Sequence, residues 1–93
     1  LKVDNIHDST TFENLCDFFF QYLKPLYLSN HEHHIGGIYI PRDKRRRHFG
    51  YAFVRFCTRE AAVEAYLQGD GQRMVSEKGE TEVFLNRAIF PNR

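Results

Sequence analysis

The stretch Phe49-Gly50-Tyr51-Ala52-Phe53-Val54-Arg55-Phe56 decides which fold this chain adopts. Read as a β-strand, it points its side chains alternately to the two faces of a sheet. One face carries small or apolar side chains suited to packing beneath helices: Gly50, Ala52, Val54 and Phe56. The other carries three aromatic rings and one cation: Phe49, Tyr51, Phe53 and Arg55. A half-buried strand ordinarily has polar groups on its second face, so this pattern indicates either burial on both sides or an aromatic face left open for a ligand.

A cluster of basic residues precedes this strand and favours the open face. Five of the thirteen Lys and Arg residues lie in residues 42–47, although the net charge of the chain is only +1. A uniformly basic surface is therefore excluded, and the charge is concentrated locally. A strand buried on both faces would not begin from such a cluster. Rings for stacking beside cations for phosphates are typical of proteins that bind single-stranded nucleic acid.

Three motifs resemble a known family. The sequence Gly-Tyr-Ala-Phe-Val-Arg-Phe at residues 50–56 resembles the third-strand signature of the RNA recognition motif. The signature begins with Lys or Arg, and Phe49 stands there instead. Residues 1–6, Leu-Lys-Val-Asp-Asn-Ile, are similar to the companion first-strand motif, and residues 40–43, Ile-Pro-Arg-Asp, to the second strand of serine/arginine-rich (SR) splicing factors. The first strand of SR splicing factors also resembles residues 1–5. The resemblance covers nearly the whole chain.

This resemblance implies a fold, a ligand and a setting. The fold is an α+β, ferredoxin-like βαββαβ sandwich, in which two helices cover one face of a four-stranded antiparallel sheet. The ligand is single-stranded RNA, and the setting is pre-mRNA splicing or related mRNA processing, with other mRNA-processing proteins as further partners. The expected location is the nucleus, with the cytoplasm as a second site. One fold serves many roles, so the setting is analogy.

The first half of the chain predicts a strand, a helix and a second strand. Thr10 and Glu13 have the spacing of a capping box at the start of the helix. The core-facing stripe of that helix is spaced at i, i+3, i+4 and i+7: Leu15, Phe18, Phe19 and Tyr22. Phe20 lies outside the stripe, either covered by the long link over residues 23–37 or part of a protein-contact patch. In the second strand Ile38 and Ile40 face the core and Tyr39 the open side.

The second half predicts a capped helix, a hairpin and a last strand. Thr58 caps the helix, which the glycines of residues 69–71 end, and its inner stripe is Ala62, Ala65 and Tyr66. A hairpin starting at residues 74–75 runs into a strand over residues 81–85 with Val83 and Leu85 inward and Phe84 and Asn86 outward.

The predicted RNA-binding residues fall into two groups. On the sheet, Tyr51, Phe53 and Tyr39 stack bases, Lys2, Arg55 and Asn86 make polar contacts, and Phe49 either extends the ring platform or packs under the basic loop. In that loop the candidates for holding phosphates are Arg42, Arg45, Arg46 and Arg47. A solvated loop and a nuclear-import signal are the alternatives for the basic run.

Other classes of function find little support. Residues 1–93 form one domain, expected to be a fragment of a longer protein. Cys16 and Cys57 sit in apolar runs and are expected to be buried thiols of a reducing compartment. His31-Glu32-His33-His34 lacks the spacing of a zinc-protease helix. No membrane span, metal, cofactor, small-molecule substrate or catalytic constellation is predicted.

A protein-interaction module is the competing hypothesis. Some members of the resembled family hold another protein through the sheet or the helices. Phe20, the apolar residues 26–28 and the cation Lys2, where many relatives have a ring, favour this alternative.

Overall fold

A computed structural model describes residues 1–23 and 35–88 of the chain. Two helices and six strands succeed one another along these residues: β1 (Lys2–Asp4), α1 (Phe12–Leu23), β2 (Ile35–Tyr39), β3 (Tyr51–Phe56), α2 (Arg59–Gly69), β4 (Arg73–Ser76), β5 (Gly79–Glu82) and β6 (Phe84–Asn86). Predicted features that fall on residues 24–34, including the apolar turn at 26–28, lie outside the described residues.

The main sheet is antiparallel, with the strand order β2-β3-β1-β6. β1 lies between β3 and β6, so Val3 pairs with Ala52 on one side and with Leu85 on the other. These three side chains are buried in the core, together with Ile35 of β2 and Val54 of β3. Both helices contribute to the same core, which confirms the predicted α+β architecture of a four-stranded sheet with two helices. The simple βαββαβ order holds only in part, because β4 and β5 form a separate two-stranded sheet before β6.

The start of α1 differs by one residue from the prediction. Thr11, not Thr10, forms the capping box: its Oγ1 accepts a hydrogen bond from the backbone N–H of Asn14 at 3.1 Å. In return Asn14 Oδ1 accepts from the N–H of Thr11 at 2.9 Å. Thr10 is buried instead, at 3% exposure, and Glu13 is exposed in the first turn. Either Thr10 or Thr11 could cap the helix by its local chemistry. Because Thr10 is buried in the folded chain, Thr11 is the capping residue.

The core-facing stripe of α1 is confirmed as far as its side chains are described. Leu15, Phe18 and Phe19 are buried, and Phe19 meets Phe56 of β3 edge-to-face with ring centroids 5.4 Å apart. The side chain of Tyr22 lies outside the described residues. Phe20 is half-buried and packs against the core, so it is not a solvent-exposed patch.

The inner face of α2 is rotated from the predicted one. Thr58 caps the helix as predicted, with its Oγ1 accepting from Ala61 N–H at 3.1 Å. The buried positions are Ala61, Ala65 and Gly69, whereas Tyr66 is 40% exposed. Small residues occupy this stripe because the helix lies close to its neighbours. A Cβ at Gly69 would stand 3.2 Å from Leu85 Cδ1.

The two cysteines differ in their surroundings. Cys16 is half-buried in α1, and burial raises the pKa of its thiol, with smaller contributions from nearby carboxylates. Cys57 is exposed at the end of β3, so the prediction that both thiols are buried is wrong for Cys57. Among the described residues, neither helix is long and apolar enough to cross a membrane.

Candidate nucleic-acid interface

The strand register places the predicted ring residues on one face of the sheet. Residues directly opposite each other on antiparallel strands point to the same side. One cross-strand row therefore runs over all four strands as Tyr39, Phe53, Lys2 and Asn86. The neighbouring row runs over β3, β1 and β6 as Tyr51, Asp4 and Phe84. Both rows lie opposite the buried face that the helices cover.

The aromatic side chains form a continuous series along this face. The rings of Tyr39 and Phe53 are stacked with centroids 6.3 Å apart and planes inclined by 21°. Phe53 and Tyr51 meet edge-to-face at 5.8 Å. Tyr51 and Phe49 are again stacked, at 6.3 Å and 23°. Phe49 is 58% exposed, so it extends the series and does not pack under the basic loop.

The chain bends just before β3, which begins at Tyr51 and not at Phe49. Gly50 has a φ of 91°, a conformation that favours glycine. Its N–H donates to Nδ1 of His48 at 3.1 Å, and its carbonyl accepts from Ile6 N–H at 3.1 Å. The bend lets Phe49 stay beside Tyr51 although it no longer belongs to the strand.

Lys2 and Asn86 lie on the predicted face but are held by a residue the sequence did not single out. The Nζ of Lys2 is 3.3 Å from Asp4 Oδ1, and Asn86 Nδ2 donates to Asp4 Oδ2 at 2.8 Å. Lys2 also lies over the ring of Tyr51, with its Nζ 4.6 Å from the centroid, which is a cation–π arrangement. Lys2 therefore covers part of one side of the Tyr51 ring.

Arg55 also has a partner within the protein. Its Nη2 donates to the carbonyl oxygen of Gly36 at 3.0 Å. Gly36 lies at the irregularity in the β2–β3 register between Ile35 and Gly37. The guanidinium is exposed but anchored, and so it presents a cation at the β2 edge of the face.

The basic segment is an ordered hairpin, here called the basic hairpin (residues 42–48). Arg42 and His48 form an isolated antiparallel bridge that joins its two ends. The N–H of Arg46 donates to the carbonyl of Asp43 at 3.0 Å, and Arg46 has a φ of 67°. This combination is the turn expected of a three-residue hairpin loop with one left-handed residue.

Asp43 organises the basic hairpin. Its Oδ1 accepts from the backbone N–H groups of Arg45, at 2.8 Å, and Arg47, at 3.0 Å. These bonds, the one from Arg47 first, lower the pKa of the Asp43 carboxyl. The arginine side chains radiate outward from this turn and are exposed: Arg42, Arg45, Arg46 and Arg47. Asp43, an anionic residue, thus holds the backbone turn from which these cationic side chains project.

His48 closes the basic hairpin as a buried, neutral residue at 7% exposure. Burial, followed by the positive charge of Arg42, lowers its pKa. Its Nδ1 accepts from Gly50 N–H, a role that requires the unprotonated nitrogen.

Two residues of the face were missed as binding candidates. Phe84 was predicted to point outward, and it is 45% exposed opposite Asp4. Asp4 could be placed on the outer face by alternation alone, but its contacts depend on β6, which is remote in the sequence. Within the part of the chain that the structure describes, no group of His, Cys, Asp or Glu could hold a metal ion. His31, His33 and His34 lie outside that part.

Comparison with known proteins agrees with this geometry. The chain is similar to the solved "Sxl-lethal protein/RNA complex", with 28% identity and a TM-score of 0.66 over 89% of this chain and 43% of that chain. It is also similar in fold to the solution structure of the N-terminal RNA-binding domain of a hypothetical protein, with 23% identity, a TM-score of 0.62 and coverage of 98% and 79%. No curated protein matches the sequence. The family model for the RNA recognition motif matches residues 28–78, and the chain therefore belongs to the RNA recognition motif family.

Proposed function

We propose that this chain binds single-stranded RNA across the sheet face opposite its helices. The observation that carries the proposal is the series Tyr39–Phe53–Tyr51–Phe49, whose neighbouring centroids are 5.8–6.3 Å apart. Unpaired bases stack on such rings, and each stacked base is worth about 1–3 kcal/mol. Membership of the family and the similarity to a chain solved with RNA support the same function.

The basic hairpin supplies the second part of the proposed interface. It connects β2 to β3, and Phe49 at the end of the ring series follows it directly. Exposed cations at this position would neutralise phosphates of a strand whose bases lie on the rings, releasing counterions. Backbone charge and ring stacking are both tolerant of sequence, so this combination supports binding to a range of single-stranded RNAs.

Paired substitutions test the ring series. The variant with Tyr51→Ala and Phe53→Ala removes two rings of the face, and its matched control replaces Tyr66 and Phe12, exposed rings on the helical side. A random-sequence RNA pool is titrated at two salt concentrations, with circular dichroism to verify folding. We expect the first variant to lose about 30-fold or more in affinity, from two stacked bases, and the control to stay near wild type. Equal losses in both would refute the assignment.

We further propose a role in pre-mRNA splicing or related mRNA processing, in the nucleus. The support is the resemblance of residues 1–5 and 40–43 to SR splicing factors. Cells depleted of the parent protein should retain introns in their mRNA. A wild-type copy of the protein should restore the removal of these introns, and the Tyr51/Phe53 variant should not. Unchanged splicing after depletion would remove this part of the proposal while leaving RNA binding intact.

The groove beside α2 favours a second candidate function, protein interaction through the helical side. Its volume is about 460 Å³, and its lining is mostly apolar with three polar residues: Leu1, Arg59, Ala62, Val63, Tyr66, Leu85, Asn86 and Arg87. Leu67 on the same helix is 67% exposed. If the RNA pool leaves the NMR spectrum unchanged while Val63→Asp abolishes binding of an mRNA-processing partner, this function replaces RNA binding.

A further inference from the structure

We propose that Asp4, flanked by Lys2 and Asn86, makes this sheet select guanine at one nucleotide position. The inference rests on the proposed RNA binding and specifies which base the face reads. A carboxylate repels phosphates, yet Asp4 lies on β1, one of the two inner strands of the face that carries the rings.

The three side chains form an ordered array of hydrogen-bonding groups. Lys2 Nζ, a donor, lies 3.3 Å from Asp4 Oδ1, an acceptor. Asp4 Oδ2, the second acceptor, takes a bond from Asn86 Nδ2 at 2.8 Å. A carboxylate has about four lone-pair sites, and these two contacts use two of them. The Asp4 side chain is 33% exposed, so the remaining acceptor capacity is accessible from the open face.

Read from Lys2 across the carboxylate, the array is donor, acceptor, acceptor. Guanine presents the complement on its Watson–Crick edge: the acceptor O6, then the donors N1–H and N2–H. Both donors meet carboxylate oxygens while O6 meets the Lys2 ammonium. Adenine and cytosine have a ring-nitrogen acceptor in the central position, which the carboxylate repels. Uracil offers a single N–H between two carbonyls. Guanine is thus the base that satisfies all three groups.

A stacking surface stands next to the array. Phe84 lies directly opposite Asp4 on β6 and is 45% exposed. Directly opposed side chains have Cβ atoms about 4.5–5.5 Å apart, so a base lying on the Phe84 ring brings its edge over the carboxylate. Phe84 therefore supplies affinity for any base, and Asp4 supplies the choice among them.

The test uses uridine oligomers of about eight nucleotides, each with one variable central nucleotide, in fluorescence-anisotropy titrations. For the wild-type chain we expect the guanosine oligomer to bind about tenfold or more tightly than the all-uridine one. Asp4→Asn places an amide donor against the donors of guanine, and the preference should vanish while the all-uridine oligomer binds at least as well. Asp17→Asn, the same change on the exposed side of α1, should keep the preference.

A second measurement leaves the protein unaltered and so does not depend on how Asp4→Asn folds. Inosine lacks the N2 amino group, and replacing the central guanosine by inosine should weaken wild-type binding several-fold. Replacement by 7-deazaguanosine, which alters only the opposite edge, should not. Three results would each overturn the role of Asp4 but leave the proposed RNA binding intact. These are equal affinity for the four oligomers, a guanosine preference that persists in Asp4→Asn, and equal affinity for the inosine and guanosine oligomers. Absence of binding to every oligomer would overturn the proposed function, and this inference with it.

Discussion

Removing two cations from the basic hairpin should lower the salt dependence of RNA binding by a predictable amount. Arg45 and Arg46 are exposed at the tip, whereas Arg42 donates to the Arg46 carbonyl and Arg47 lies 3.6 Å from Asp43. The variant is Arg45→Gln with Arg46→Asn. Asparagine is chosen because residue 46 has a φ of 67°, a conformation that asparagine tolerates.

The magnitude follows from counterion release. For single strands, each neutralised phosphate contributes about 0.7 to the slope of log affinity against log salt concentration. If each of the two arginines meets one phosphate, the slope should fall by about 1.4. Between about 0.1 M and about 0.4 M salt, wild-type affinity should then drop about 7-fold more than that of the variant.

Fluorescence anisotropy of a labelled single-stranded RNA over a salt series measures the two slopes. Arg73→Gln with Lys78→Gln is the matched control, because it removes the same charge from the β4–β5 hairpin, outside the main sheet. Its slope should equal that of the wild type. A slope unaffected by the Arg45/Arg46 change, or lowered as much by the control, would show that the basic hairpin does not contact phosphates.

Three further predictions concern the fold. Phe19→Ala should lower the free energy of unfolding by about 3–5 kcal/mol, since the side chain is fully buried between aromatic neighbours. Phe12→Ala, on the exposed side of α1, should lower it far less. Urea titrations measure both variants, and equal losses of stability would contradict the described core. His48 has a lowered folded pKa, so the unfolded chain binds its proton more readily and stability should fall as the pH drops below about 6.5. His48→Asn should flatten that dependence between about pH 7 and about pH 5, and an unchanged pH profile would count against burial of the neutral ring. A thiol reagent should modify the exposed Cys57 faster than Cys16, whose pKa is raised by burial, and mass spectrometry of the digested product identifies which reacted.

Two of the predictions that failed, the capping residue of α1 and the inner face of α2, share a cause. The capping box moved from Thr10 to Thr11 because two adjacent threonines offer the same local chemistry, and burial in the folded molecule decides between them. The inner face of α2 was misplaced for a similar reason. Alanines and a glycine allow several faces to pack, and the close approach of Leu85 to Gly69 selects one.

The basic hairpin could be predicted from the sequence only in part. Its charge and its place next to β3 could be predicted from the sequence, but its order could not. The turn depends on Asp43 accepting two backbone N–H groups, and the sequence shows this aspartate only as one acidic residue among cations. Only in the folded chain is it evident that Asp43 holds the turn of the basic hairpin.

The alternation along residues 50–56 determined by itself which side chains of β3 are buried and which are presented, because the two-residue period of a strand is a property of the local backbone. Ala52 and Val54 are buried and Tyr51 and Phe53 lie on the other face, as that period requires. Only the tertiary structure decided that Lys2 and Asn86 meet at Asp4. That contact depends on β1 and β6 pairing in one register across most of the chain, and no local pattern encodes the register.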